Sequence, residues 1–123
     1  MQHSKRFLAL VSDAKARIAE ISAGEVGDAI AAGSELALID TREESEWHAA
    51  HAAGAIHMGK GVIERDIESA IPDTGAKIVL YCGGGYRSAL AADALRKMGY
   101  RNVCSLAGGW RAWQAAGLPV ERG

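Results

Sequence analysis

The stretch Lys77-Ile78-Val79-Leu80-Tyr81-Cys82-Gly83-Gly84-Gly85-Tyr86-Arg87-Ser88 decides how this chain folds. Ile78 to Tyr81 are β-branched, apolar or aromatic without alternation, which marks a strand covered on both faces and therefore a central parallel strand. The strand ends at Cys82, three glycines turn the chain, and a helix runs from the loop to about Met98. Ala91, Leu95 and Met98 supply its apolar stripe, Arg96 and Lys97 suit the negative end of its dipole, and Gly99 offers the turn that ends it. Strand, glycine turn and helix in immediate succession are one half of a βαβ unit.

The pattern repeats outward from this segment. Leu36-Ala37-Leu38-Ile39 reads as a strand running into Asp40, and Asn102 to Leu106 as the last strand of the sheet. Ser22 with Glu25 forms a capping box for a helix that ends near Gly33, and Thr41 with Glu44 suggests a second box for a helix carrying Trp47 and closing near Gly54. Ala55-Ile56-His57-Met58 is a further short strand. Ile63, Ile67 and Ile71 lie on one helical face that Pro72 ends. Gly108-Gly109 turns the chain into a short helix with Trp110 and Trp113. Phe7, Leu10, Val11, Ala14, Ile18 and Ile21 recur at helical spacing, predicting an amphipathic helix over Lys5–Glu20 that packs on its own domain. The expectation is an N-terminal helical extension over residues 1–20 and a single open α/β domain with a mostly parallel sheet over residues 21–123.

Composition narrows the function. The chain has 123 residues, 49% hydrophobic and 24% charged, which fits one globular domain. Fourteen basic and 15 acidic residues leave a formal charge of -1, so nothing electrostatic calls for nucleic acid or an anionic membrane as partner. Lys5 and Arg6 precede an apolar run that is too short for a signal peptide, and no stretch is long enough to span a bilayer. The expected location is the cytoplasm, where thiols stay reduced. Two distant cysteines make neither a disulfide framework nor a zinc knuckle.

In open parallel sheets ligands bind beyond the carboxyl ends of the strands. Asp40, Cys82 and the turn from Leu106 to Gly109 fall at such ends. Three glycines let successive backbone N–H groups face one hollow, with a helix N-terminus behind it, and such a hollow attracts anions. The same donors, with Arg87 nearby, stabilise a thiolate at Cys82 and make it a candidate nucleophile; the alternative is an inert cysteine that merely ends a strand. A Walker loop is excluded by the missing lysine and the glycine spacing. A cysteine phosphatase loop has five residues between cysteine and arginine, whereas Gly83 to Tyr86 make four and enclose a smaller space.

Four motifs in order resemble the rhodanese-like family of single-domain sulfurtransferases, over Ile21 to Val120. They are Ile39-Asp40-Thr41-Arg42, Gly54-Ala55-Ile56-His57, the loop Cys82 to Ser88, and Leu106-Ala107-Gly108-Gly109-Trp110 followed by Trp113 and Gly117-Leu118-Pro119. The resemblance implies five parallel strands flanked by helices and Cys82 as the catalytic nucleophile. Sulfur would pass from a donor such as thiosulfate through a Cys82 persulfide to cyanide or a thiol, without metal or organic cofactor. It implies that Gly83, Gly84, Gly85, Tyr86, Arg87 and Ser88 cradle the substrate, with Arg87 anchoring the loop or meeting the anionic donor. A non-enzymatic sulfur carrier or interaction module is the alternative from another class, and a phosphatase or arsenate reductase the other enzyme reading. Gly83 and Gly84 bring no charge where relatives that prefer thiosulfate carry basic residues, and Gly59 stands where a proline is common.

The other candidates have simpler readings. Asp40 and Arg42 could touch substrate, but a structural ion pair that anchors the loop is the expected role. Cys104 could resolve an oxidised Cys82, but its place in an expected buried strand favours a packed thiol. His48 and His51 lack a third ligand and read as surface residues. Trp110 is placed to wall the pocket, and Trp113 to fill the core.

Overall fold

A computed structural model describes residues 3–123. Five strands form one sheet: β1 (Ala19–Ile21), β2 (Ala37–Asp40), β4 (Ile56–His57), β5 (Ile78–Tyr81) and β6 (Val103–Leu106). All pair in parallel, in the order β1-β6-β5-β2-β4. A separate two-stranded antiparallel sheet pairs β3 (His51–Ala52) with β7 (Val120–Glu121). Six helices flank the sheet: α1 (Lys5–Lys15), α2 (Ala23–Ala31), α3 (Glu44–Ala49), α4 (Ile63–Ala70), α5 (Tyr86–Lys97) and α6 (Gly109–Ala115).

Side chains alternate across the two faces of a strand, and β5 shows the consequence. Ile78 and Leu80 join Ile39, Ile63, Ile67 and Leu95 in the core beneath α4 and α5. Val79 and Tyr81 join Val26, Leu38, Leu106 and Trp113 beneath α2 and α6. All four β5 residues are buried, as the unbroken apolar run predicts. The outer strands are short: β1 has three residues and β4 two.

Four expectations about local structure are corrected. The first helix stops at Lys15 rather than Glu20, because Ala19–Ile21 pair with Cys104–Leu106 as an edge strand. Ile18 and Ile21 fit a helical stripe equally well, yet here they enter opposite cores. Leu10 and Met98, placed on buried stripes by periodicity, lie 56% and 37% exposed. The cap of α3 is Glu43, whose N–H donates to Glu46 Oε1 at 3.0 Å. Thr41 instead donates its hydroxyl to the Tyr81 carbonyl at 2.9 Å inside the protein. The capping box at Ser22 and Glu25 forms as read, with both reciprocal hydrogen bonds present.

Helix α1 docks on α5 through Val11 and Ala14, both buried. Arg17, just beyond it, donates to both oxygens of Asp93 on α5, at 3.0 and 2.7 Å. The hydrogen bond from Arg17 is the largest influence on the Asp93 carboxyl and holds it well below the usual carboxylate range. A depressed carboxyl stabilises the fold above its unfolded value of about 4, and that contribution is lost as pH falls further. Asp93→Asn is therefore expected to melt below the native chain at neutral pH, with the gap closing from about pH 4 downward. Thermal melts across pH test this; a gap that stays constant into acid would contradict it.

Candidate active site

Strands β2, β5 and β6 run in parallel, so their C-terminal ends share one edge of the sheet, and the glycine loop after β5 packs against the Gly108 turn after β6. Cys82 lies at the floor of a cavity of about 720 Å³, with only 1% of its surface exposed. Its Sγ accepts the Gly85 N–H at 3.1 Å and lies 3.4 Å from Ser88 Oγ. Ser88 Oγ in turn shares a hydrogen bond of 2.9 Å with Ser105 Oγ on β6, and both serines are fully buried. The first turn of α5 begins at Tyr86, so its N–H groups lack partners within the helix and face the loop side.

Gly85 caps α5 with φ +95, in the left-handed region that glycine adopts without strain. It also packs against the Gly108 turn, where a Cβ would come within 3.3 Å of the Gly108 nitrogen. Gly109 is tighter still, with φ +54 and a built Cβ falling on the Cys82 carbonyl. The close approach lets α6 hold the loop from behind: Trp110 N–H donates to the Cys82 carbonyl at 2.7 Å and Arg111 N–H to Gly83 at 3.3 Å. Gly109→Ala is expected to lower stability by about 2 kcal/mol or more, since backbone meets backbone and φ is disfavoured. Chemical denaturation would measure it, and a change under about 0.5 kcal/mol would refute the account.

The six loop residues expected to cradle the substrate divide by position. Gly83, Gly84, Tyr86 and Arg87 line the cavity, whereas Gly85 and Ser88 sit against the sulfur itself. Arg87 reaches across the mouth to Glu46 on α3 at 3.3 Å. Burial works to raise the Glu46 carboxyl, but the Glu43 N–H and Arg87 outweigh it and hold the group below its ordinary value. Arg111 adds a second guanidinium to the wall and makes no ion pair among the described residues.

Asp40 and Arg42 stand beside the cavity. Asp40 is fully buried and Arg42 4% exposed. The carboxylate accepts from Arg42 Nε and Nη2, at 3.1 and 2.8 Å, and from the Tyr81 hydroxyl at 2.6 Å. Arg42 also donates to the Ala50 carbonyl at 2.7 Å and lies 4.6 Å from the Trp110 ring centroid. Burial alone would lower the Arg42 pKa, yet the hydrogen bonds and charge of Asp40 outweigh it and hold the guanidinium above its ordinary value. Trp110 thus covers this pair rather than the cavity, and Trp113 is buried in the core.

His48 is exposed, but His51, expected on the surface, is buried. Its ring stacks on Trp47 with centroids 3.4 Å apart, and its Nδ1 lies 2.9 Å from the Trp47 carbonyl. Cys104 is buried in β6 with Lys77 Nζ 3.2 Å from its sulfur. The cavity has walls that sequence reasoning did not find: Glu46, Arg111, and His3, Ser4 and Phe7 at the start of α1. Helical spacing marked Phe7 as apolar; only the docking of α1 on α5 shows which space it faces.

Fold and cradle together define an α/β domain built around a thiol at the end of its central strand. The model of the rhodanese-like domain matches residues 22–116, and the chain belongs to that family. MoeZ of Mycobacterium tuberculosis, a probable adenylyltransferase/sulfurtransferase, is 36% identical over 112 residues, covering 89% of this chain and 29% of that protein. The chain therefore spans under a third of MoeZ. GlpE of Vibrio cholerae, a thiosulfate sulfurtransferase, is 33% identical over 84 residues, 68% of this chain and 77% of that protein. The solved structure of RPA3614 from Rhodopseudomonas palustris, a protein of unknown function and possible tyrosine phosphatase, superimposes with a TM-score of 0.83. It is 29% identical and covers 98% of both chains. Sulfur transfer is the activity that the family relationship supports. Among the described residues, no helix is long and apolar enough to cross a membrane.

Proposed function

We propose that this protein is a sulfurtransferase that carries sulfur as a persulfide on Cys82. The observation that carries the reading is the Cys82 sulfur at the cavity floor, accepting the Gly85 N–H at 3.1 Å at the N-terminal end of α5. Backbone donors and the helix end favour negative charge on that sulfur and on a second sulfur attached to it. The thiolate attacks the outer sulfur of a donor such as thiosulfate. The bond between the donor's two sulfurs breaks, sulfite leaves with its electron pair, and a Cys82 persulfide remains. An acceptor, cyanide or a thiolate, then attacks the terminal sulfur and Cys82 leaves as thiolate. Electrons balance across the two steps, and no metal or organic cofactor enters.

Gly83 to Ser88 form the cradle in this reading. Arg87 anchors the mouth through Glu46, and Asp40 with Arg42 supports the loop from the side. Both cysteines are free thiols, which suits a reducing cytoplasm. The partners are a sulfur donor and a thiophilic acceptor.

The test is an intact mass after brief incubation with thiosulfate, beside Cys82→Ser. A gain of one sulfur atom that cyanide removes, absent in the variant, is the expected result. A native chain that takes up no sulfur from thiosulfate or from any other sulfane donor would refute the proposal. Hydrolysis of an aryl phosphate, run in parallel, is expected to be absent because only four residues separate Cys82 from Arg87.

A further inference from the structure

The cavity is larger than its proposed chemistry requires. Thiosulfate has five heavy atoms and, at roughly 30 Å³ for each water-sized atom, fills about 150 Å³. The space above Cys82 is about 720 Å³, a size that takes an organic molecule. Three aromatic rings line that space, together with Glu46, Arg87 and Arg111. Tyr86, the first residue of α5, lies with its ring centroid 4.6 Å from His3 and 6.2 Å from Phe7. His3 and Phe7 are themselves 5.2 Å apart, so the three rings form one cluster. All three line the cavity that holds Cys82.

Two of these rings come from a segment outside residues 22–116, to which the family relationship extends. Their placement is nevertheless held firmly. Val11 and Ala14 are buried against α5, the Arg17–Asp93 pair ties the same interface, and Lys15 Nζ lies 5.4 Å from the Tyr86 ring centroid. The same cavity is lined by Arg87, paired with Glu46, and by Arg111. The pocket thus offers both cationic groups and aromatic faces to one ligand.

We propose that α1 and the residue before its cap form the specificity wall of the site: Phe7 and His3, with Tyr86, seat an apolar, ring-sized group carried by the sulfur donor. The donor class is an organic sulfane-sulfur compound with an anionic head and an apolar body, rather than a small inorganic anion. This rests on the proposed persulfide chemistry at Cys82. The step is the one given above, with an organic sulfinate leaving in place of sulfite. Aromatic groups meeting in offset or tilted arrangements gain beyond simple burial, which gives the rings a reason to discriminate.

Benzenethiosulfonate and thiosulfate make a matched pair, because each presents a sulfane sulfur on an oxidised sulfur and only the first carries a ring. The native chain is expected to show a kcat/KM for benzenethiosulfonate about tenfold above that for thiosulfate. In Phe7→Ala the ratio between the two donors is expected to collapse towards one, through KM of the aryl donor, and Phe7→Leu to keep part of it. Equal use of the two donors by the native chain, or an unchanged ratio in Phe7→Ala with normal melting, would overturn the proposal. A separate arm needs no sulfur transfer. Benzenesulfonate, which has no sulfur to give, is titrated into Cys82→Ser with and without Phe7→Ala, following tryptophan fluorescence or calorimetric heat. Binding that depends on Phe7 supports the wall even if no donor loads Cys82, whereas binding indifferent to Phe7 overturns it while the persulfide chemistry stands.

Discussion

Cys82→Ser is expected to lower sulfur transfer by roughly three orders of magnitude or more, the scale on which enzymes lose activity when a covalent nucleophile is removed. The fold should survive. Serine differs by one atom, and the Gly85 N–H that now points at Sγ at 3.1 Å finds an oxygen to donate to. A stability change within about 1 kcal/mol is expected. Thiocyanate formation from thiosulfate and cyanide, or transfer from whichever donor loads the native chain, measures the activity. Retention of a tenth or more of the native rate would mean that sulfur moves without a covalent carrier at this position.

Asp40→Ala is expected to cost about 3–5 kcal/mol, a large share of the roughly 5–15 kcal/mol that holds a domain folded. The cause is what remains afterwards. Arg42 would keep its charge while 4% exposed, and the Tyr81 hydroxyl would lose its 2.6 Å acceptor. The damage should also reach the site. Arg42 holds the Ala50 carbonyl behind α3, and α3 carries Glu46, the partner of Arg87 at the cavity mouth. Urea unfolding would measure the loss, and a cost below about 1 kcal/mol would contradict it. Removing both charges, as Asp40→Leu with Arg42→Met, is expected to recover much of the stability, because no buried charge is then left alone.

What could be read from sequence follows the range of the forces involved. The strand at Ile78 to Tyr81, the glycine turn and α5 depend on neighbours within a dozen residues, and all three stand as read. The pairing of Asp40 with Arg42 spans two positions, and it too was legible. The end of α1 was not, because an Ile18–Ile21 spacing of three suits one face of a helix or the two faces of a strand. Only β6, some 80 residues onward, decides between them. His51 went wrong for a similar reason: its burial depends on β7 arriving from the far end of the chain to pair with it. The aromatic wall was the least accessible feature. Its rings come from α1, from the residue before its cap and from α5, brought together by contacts such as Arg17 with Asp93, 76 positions apart.

The two outer strands, three residues at Ala19–Ile21 and two at Ile56–His57, carry a consequence for behaviour at high concentration. An open sheet exposes a row of unsatisfied amides and carbonyls at each border, and a second molecule can use a long border as a template for fibrillar growth. Here each border is too brief to nucleate such growth. Glu20 on β1 sits in an ion pair with Lys15, and β4 is followed closely by Gly59. Crowded or freshly synthesised copies should therefore resist pairing strand to strand along these borders.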